Sequence, residues 1–207
     1  MSGSLRTHMN PPSLIATAPD RTAVQDAIVV SADALFTAEG VTPVAVERVA
    51  DGAHVTPAEL RAVFPSKQAL VVAALRYRHD EWMTALIAAE ASFEDPRDQV
   101  LAVFSYLEDC FTDRSYRGCA FINGYGELGR LDPVVAGLAN DHLRQLEQHI
   151  AMLCAAAEMP AHLAPALTLL VQGAQVEAAI HGNITPARTG RMAAAMLMSV
   201  YEAPSLF

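Results

Sequence analysis

The stretch from Ile28 to Leu70 constrains the fold most, because its punctuation leaves room only for short helices. Ile28, Ala32, Leu35 and Phe36 recur at helical spacing, and Gly40 stops that run. Pro43 suits a first helical turn, where its missing N–H costs little, so Val44–Ala50 is predicted as a second helix. Asp51-Gly-Ala-His54 then turns the chain, and Thr56 is placed to cap a third helix, Pro57–Val63. Pro57 fits the first turn of that helix, and Glu59, three residues beyond Thr56, completes a capping box. Two short helices joined by a tight turn are the shape that presents the second one to a DNA major groove.

The same residues carry a resemblance. Ile28-Val-Val-Ser-Ala32, Leu35-Phe36, Gly40, Val49-Ala50, Ala53-x-Val55-Thr56, Leu60, Phe64 and Ser66-Lys67-x-x-Leu70 resemble, in order and without gaps, the amino-terminal signature of the tetracycline-repressor (TetR) family. The resemblance implies an all-helical, homodimeric transcription regulator. Its small amino-terminal domain would bind operator DNA, and its larger carboxy-terminal domain would bind an effector and dimerise. Farther on, Arg117-Gly-Cys-x-Phe-Ile-Asn123, Glu127-Leu128 and Leu169-Leu-x-x-Gly173-Ala174 with Glu177-Ala178 resemble regulatory domains of one branch of that family. Two positions depart from the pattern. Arg61 stands where the family usually has a tyrosine, and His54 where it usually has a glycine.

The fold class expected is all-α, with about nine helices and no strands. A fourth helix follows a Ser66 cap and runs to about Ala91, and a fifth starts at Asp95-Pro96 with an apolar stripe of Val100, Leu101, Phe104, Leu107 and Phe111. Gly118–Leu128 is predicted as the sixth helix, Asp132-Pro133 to about Ala157 as the seventh, Ala161–His181 as the eighth and Pro186–Tyr201 as the ninth. Residues 1–19 read as a disordered tail or leftover leader, 20–74 as the helix-turn-helix DNA-binding domain, and 75–207 as the effector-binding and dimerisation domain, with the boundary inside helix four. At 52% hydrophobic residues the chain still has no run of about 20 uncharged apolar positions, so no membrane span is expected. Three scattered cysteines make no disulfide framework, which fits a reduced cytoplasm.

A net charge of −9 excludes a general nucleic-acid binder. Residues 1–70 themselves hold five basic residues against seven acidic ones, so any DNA contact must rest on how the cations are arranged. Arg61 on the third helix can reach a phosphate or a guanine edge. Lys67 matches a backbone-clamping lysine that the resemblance implies, at a helix amino terminus whose dipole favours anions. Thr42, Thr56, Pro57 and Arg48 complete the candidate DNA-binding set, although Thr56 serves equally as a plain helix cap.

For an effector, Cys119, Ile122, Asn123 and Gly126 share one face of helix six at helical spacing, with Glu127 four residues after Asn123. Trp82 and Tyr106 can wall such a pocket, and Gln172 and Gln175 can enter it from helix eight. The competing reading gives Asn123 and Glu127 to backbone capping or internal arginine pairs. Cys119 lies near Arg114, Arg117 and a helix amino terminus, surroundings that stabilise a thiolate, so a thiol-based redox sensor is one alternative and a buried packing cysteine the other. His142 and His149 are seven apart without completing ligands, and read as surface residues rather than a metal site. No catalytic constellation and no cofactor motif is found in the sequence. Gly173, Ala174, Ala178, Ala193, Ala194 and Leu197 give helices eight and nine small apolar faces for a homodimeric four-helix bundle. The rivals to a ligand-released repressor are a dimeric small-molecule binder that has lost operator recognition and, last, an enzyme built on Glu127 as a buried acid.

Overall fold

The computed structural model describes residues 21–201, which leaves the expected tail, residues 1–19, outside the described residues. Among those described residues the chain forms nine α-helices and no strand: α1 Ala23–Glu39, α2 Val46–Gly52, α3 Pro57–Val63, α4 Lys67–Glu90, α5 Pro96–Thr112, α6 Ala120–Gly124, α7 Pro133–Ala156, α8 Leu163–His181 and α9 Thr185–Ser199. A π-helical turn, Tyr125–Gly129, continues directly from α6.

Helix starts follow local chemistry. Thr56 Oγ1 accepts the Glu59 N–H at 3.2 Å while the Glu59 carboxylate accepts the Thr56 N–H at 2.8 Å. Ser66 caps α4, and Asp95 and Asp132 cap α5 and α7, each of the last two followed by proline at the first helical position. Two helix ends close as Schellman motifs. After α2, His54 N–H reaches Asp51 C=O and Val55 N–H reaches Ala50 C=O; after α7, Glu158 and Met159 repeat the arrangement on Ala155 and Cys154. That motif needs a left-handed residue, and His54 (φ 57°) and Glu158 (φ 55°) supply it without being glycine. A side chain there costs about 1–2 kcal/mol, against roughly 0.5–1 kcal/mol of chain entropy that glycine would lose. His54→Gly and Glu158→Gly are therefore each expected to raise the melting temperature by a few degrees, read by circular dichroism. An unchanged or lower value would show that these side chains compensate the strain.

Two elements differ from the sequence expectation. Val41–Pro43 is a turn, so Pro43 precedes helix two, which starts at Val46 rather than Val44. Helix six shortens to five residues before its π turn, so the face proposed for Cys119 through Gly126 does not run on in register. Gly129 permits the turn, because a Cβ there would stand against the Tyr125 ring.

The helices enclose three apolar clusters. Ile28, Ala32, Val49, Leu60 and Leu70 join α1 to α3 with the start of α4. Val71, Leu75, Phe121 and Leu138 fill the space among α4, α6 and α7. Phe104, Leu107, Leu146, Leu167 and Val171 centre the largest cluster among α5, α7 and α8, and α9 closes over it where Gly190 lies against the Phe104 ring. Helix α4 threads all three, through Leu70, Leu75 and Leu86, so a shift of its axis is felt in each. Helix α8 is apolar and long enough to cross a membrane by length and composition, yet 44% of that span is buried inside the protein, where it packs as a core helix.

Candidate functional site

The sequence nominated a DNA-facing set between Thr42 and Lys67 and an effector set on the later helices. In the first set, Pro57 opens α3 and Thr56 commits its hydroxyl to Glu59, at 2.7 Å, besides accepting the Glu59 N–H. Arg61 pairs with Glu47 of α2, and Arg48 makes a two-point pair with Glu39 at 2.6 and 2.7 Å. Lys67 Nζ donates to the carbonyl of Thr42 at 3.0 Å. Glu39 and Glu47 thus lie on the two arginines nominated for DNA contact. These pairs are exposed, and exposed ion pairs in water add little, so a phosphate can displace the carboxylate at small cost.

Behind this surface, two connections tie α1 to the rest of the chain. Arg78 of α4 grips Asp33 of α1 through Nε, at 2.8 Å, and Nη2, which also reaches Thr37 Oγ1 at 3.2 Å. Burial pushes the Asp33 carboxyl up, and the Arg78 charge and hydrogen bonds pull it partly back. From the π turn, the Glu127 carboxylate accepts the N–H of Val41 at 3.1 and 2.9 Å and that of Thr42 at 2.9 Å. Gly40 (φ 85°) makes room, since a Cβ there would come within 2.9 Å of Glu127 Oε1. Glu127 therefore caps backbone, the more ordinary of its two readings. Asn123 does likewise, donating through Nδ2 to the Arg117 carbonyl at 2.8 Å.

The effector candidates divide between two places. Cys119, Trp82, Tyr106 and Gln175 meet around one partly open cavity of about 610 Å³. Ile122, Asn123 and Glu127 line a separate groove with Gly40 and Arg117. Gln172 is on the wall of neither, and both polar atoms of its amide are buried without a partner.

Sequence reasoning missed several walls of the cavity: Tyr116, Phe121, Cys110 and His142. The Trp82 ring meets Tyr106 edge-on at 5.6 Å between centroids, and Phe121 stacks on His142 at 3.9 Å and 5°. His142 was expected at the surface, but α7 turns it inward and it is 2% exposed. His149 is also drawn in, bonded at 2.6 Å to the buried Glu90. Burial, with the neighbouring His79 adding to it, holds the His142 imidazole neutral down to about 3. Burial lowers His79 too. Of the two readings of Cys119 the structure fits the buried packing cysteine: desolvation raises its thiol, despite its nearby backbone N–H donors, and does the same for Cys110 and Cys154. Cys119 is a buried thiol rather than a stabilised thiolate.

Residues 28–74, the capped three-helix unit and the start of α4, match the family model of bacterial regulatory proteins of the tetR family. This unit is a TetR-family amino-terminal domain. Over 91 residues, 42% of this chain, it is 31% identical to the HTH-type transcriptional regulator YjdC of Escherichia coli K12, and it spans about half, 47%, of that relative's length. Its fold is that of SCO4454, a TetR-family transcriptional regulator from Streptomyces coelicolor, with a TM-score of 0.76, 23% identity and coverage of 85% of this chain and 94% of that one. A Saccharomonospora viridis chain crystallised in complex with choline shares the fold at a TM-score of 0.69 and 19% identity, covering 86% of this chain and 97% of the other.

Proposed function

We propose that the chain is a cytoplasmic DNA-binding transcriptional regulator, a repressor that a small-molecule effector releases from a palindromic operator. The observation that carries this reading is the helix-turn-helix itself, with α3 capped at Thr56 and Arg61 exposed on it, inside the residues that match the family. Arg61 would read a base edge or a phosphate, with Arg48, Lys67, Thr42, Thr56 and Pro57 around it. Residues 20–74 would form the DNA-binding domain and 75–207 the effector and dimerisation domain, with α8 and α9 pairing two chains. The cavity walled by Trp82 and Tyr106 would take the effector, a reading to which the choline-bound fold relative lends support.

Release has a physical route. Asp33 and Arg78 stand on the cavity's rim and also join α1 to α4. Phe121 is a cavity wall, and the π turn that carries Glu127 follows the same short helix. A ligand that wedges α4 from α6 would load both connections, shifting the DNA-binding unit. It acts only to the extent that it binds the displaced state more tightly.

The test is selection of genomic DNA fragments by the purified protein, with Arg61→Ala alongside. The expected result is a palindrome with half-sites one helical turn apart, bound roughly ten- to a hundredfold more weakly by the variant, in line with ~1–3 kcal/mol for a lost bidentate base contact. Unchanged affinity would remove Arg61 from recognition. No enriched sequence from a folded dimer would favour a small-molecule binder without operator recognition, a reading that the excess of acidic over basic residues in 1–70 and Arg61 in place of the usual tyrosine support.

A further inference from the structure

The cavity wall carries buried hydrogen-bond acceptors. Gln175 is 3% exposed, lines the cavity, and leaves its Oε1 buried without a partner. A buried carbonyl oxygen with nothing to accept from is costly, which makes it a marker for a missing donor.

His142 supplies a second acceptor, and its tautomer can be worked out. The amide oxygen Gln145 Oε1 lies 2.9 Å from His79 Nε2, and an oxygen can only accept, so His79 carries its proton on Nε2. Neutral His79 then has a bare Nδ1. His142 Nδ1 lies 2.9 Å from it and must be the donor, which leaves the lone pair of His142 on Nε2. The His142 ring lines the cavity, and burial keeps it unprotonated at neutral pH.

The phenols point the same way. Tyr106 Oη stands 3.5 Å from the Trp82 carbonyl and Tyr116 Oη 3.4 Å from the Gln175 carbonyl, so each phenol has a backbone acceptor within reach of its proton and keeps lone pairs. The charged donors at the rim are partly engaged elsewhere: Arg78 Nε and Nη2 on Asp33 and Thr37, and Arg117 Nη1 on the carbonyls of Arg114 and Tyr116. Trp82 contributes a single indole N–H. Aromatic faces make up much of the remaining wall.

We infer that this cavity takes a neutral aromatic molecule bearing a hydroxyl donor, a phenol in chemical class, whose O–H is accepted by Gln175 Oε1 or by His142 Nε2. The inference rests on reading the cavity as the effector site. Its size, about 610 Å³, admits a two-ring molecule, and a ring between the aromatic walls needs no charge to be held.

Trp82 is the chain's only tryptophan and lies on the wall, so its fluorescence reports occupancy directly. Four probes separate the outcomes: 2-naphthol (donor), 2-methoxynaphthalene (acceptor only), naphthalene (neither) and phenyltrimethylammonium (charge without a donor). 2-Naphthol is expected to bind about tenfold or more tightly than the other three. That preference should shrink to about twofold or less in Gln175→Met or in His142→Phe, whichever residue accepts the O–H, with each variant's helicity checked by circular dichroism. Equal binding of 2-naphthol and naphthalene would overturn the donor inference and leave the cavity reading intact. Tighter binding of the methoxy compound or the ammonium would overturn it in favour of an acceptor or a cation. Silence of Trp82 towards all four would overturn the cavity reading and the inference with it.

Discussion

A chain carrying Leu169→Arg together with Ile180→Asp is expected to sediment as a monomer and to lose operator binding. Leu169 is 74% exposed and Ile180 72%, unusual for large aliphatic side chains about three turns apart on one helix. With Gly173 and Val176 they recur along α8 at the 4-3-4 spacing of a coiled-coil seam. A Cβ on Gly173 would meet nothing within 4 Å, so that position faces outward and leaves space for a second backbone to approach. On α9, Met192 and Met196 are exposed at 61% and 65%. An apolar strip of this extent marks an association surface, and the same strip on a second copy is its natural cover. Burying two such side chains is worth about 1.5–3 kcal/mol each, so exchanging them for charges should raise the dissociation constant roughly a hundredfold or more. A single head then reaches only one half-site. Persistence of the dimer would move the interface to another face.

What was legible in the sequence was what neighbours in sequence decide. Thr56 with Glu59, Ser66, Asp95 and Asp132 all cap where their spacing predicts, because a cap is settled within three residues. The misread parts turn on contacts between distant positions. Glu127 is held by N–H groups 86 and 85 residues away, and the π turn that carries it interrupts what looks locally like an ordinary glycine-rich helix. His142 looked like a polar outward residue because its partner, His79, lies 63 positions earlier on another helix. Of the candidate effector residues, Trp82, Tyr106, Cys119 and Gln175 were brought to one cavity, while those after Cys119 on helix six were turned towards α1. The arrangement of the head's charges was hidden for a related reason: a count of signs does not show that Glu39 and Glu47 sit on Arg48 and Arg61.

Acidification supplies the other large effect, and His142 is its source. Its folded imidazole protonates only near 3, whereas in the unfolded chain it protonates near the ordinary value of about 6.5. Between those limits the unfolded state binds a proton that the folded state refuses, so stability falls as pH drops, by about 1.4 kcal/mol per unit. Above about 6.5 both states are neutral and the effect vanishes. At pH 4.5 the loss from this residue is expected to reach about 3 kcal/mol relative to pH 7, and His79, lowered by the same burial, adds to it. Asp33 works in the opposite direction, its carboxyl being raised in the fold. The lowered carboxyls of Glu39, Glu59, Asp113 and Asp132 matter only below about pH 4.5, where the unfolded chain begins to take up their protons. Urea unfolding of the wild type and of His142→Phe at half-unit steps from pH 7 to 4.5 isolates the contribution. The wild type should lose stability steadily over that window, and the variant should show a markedly flatter line. Parallel lines would mean that His142 takes up its proton in the folded state, which requires water at its Nε2 and a cavity that opens in solution.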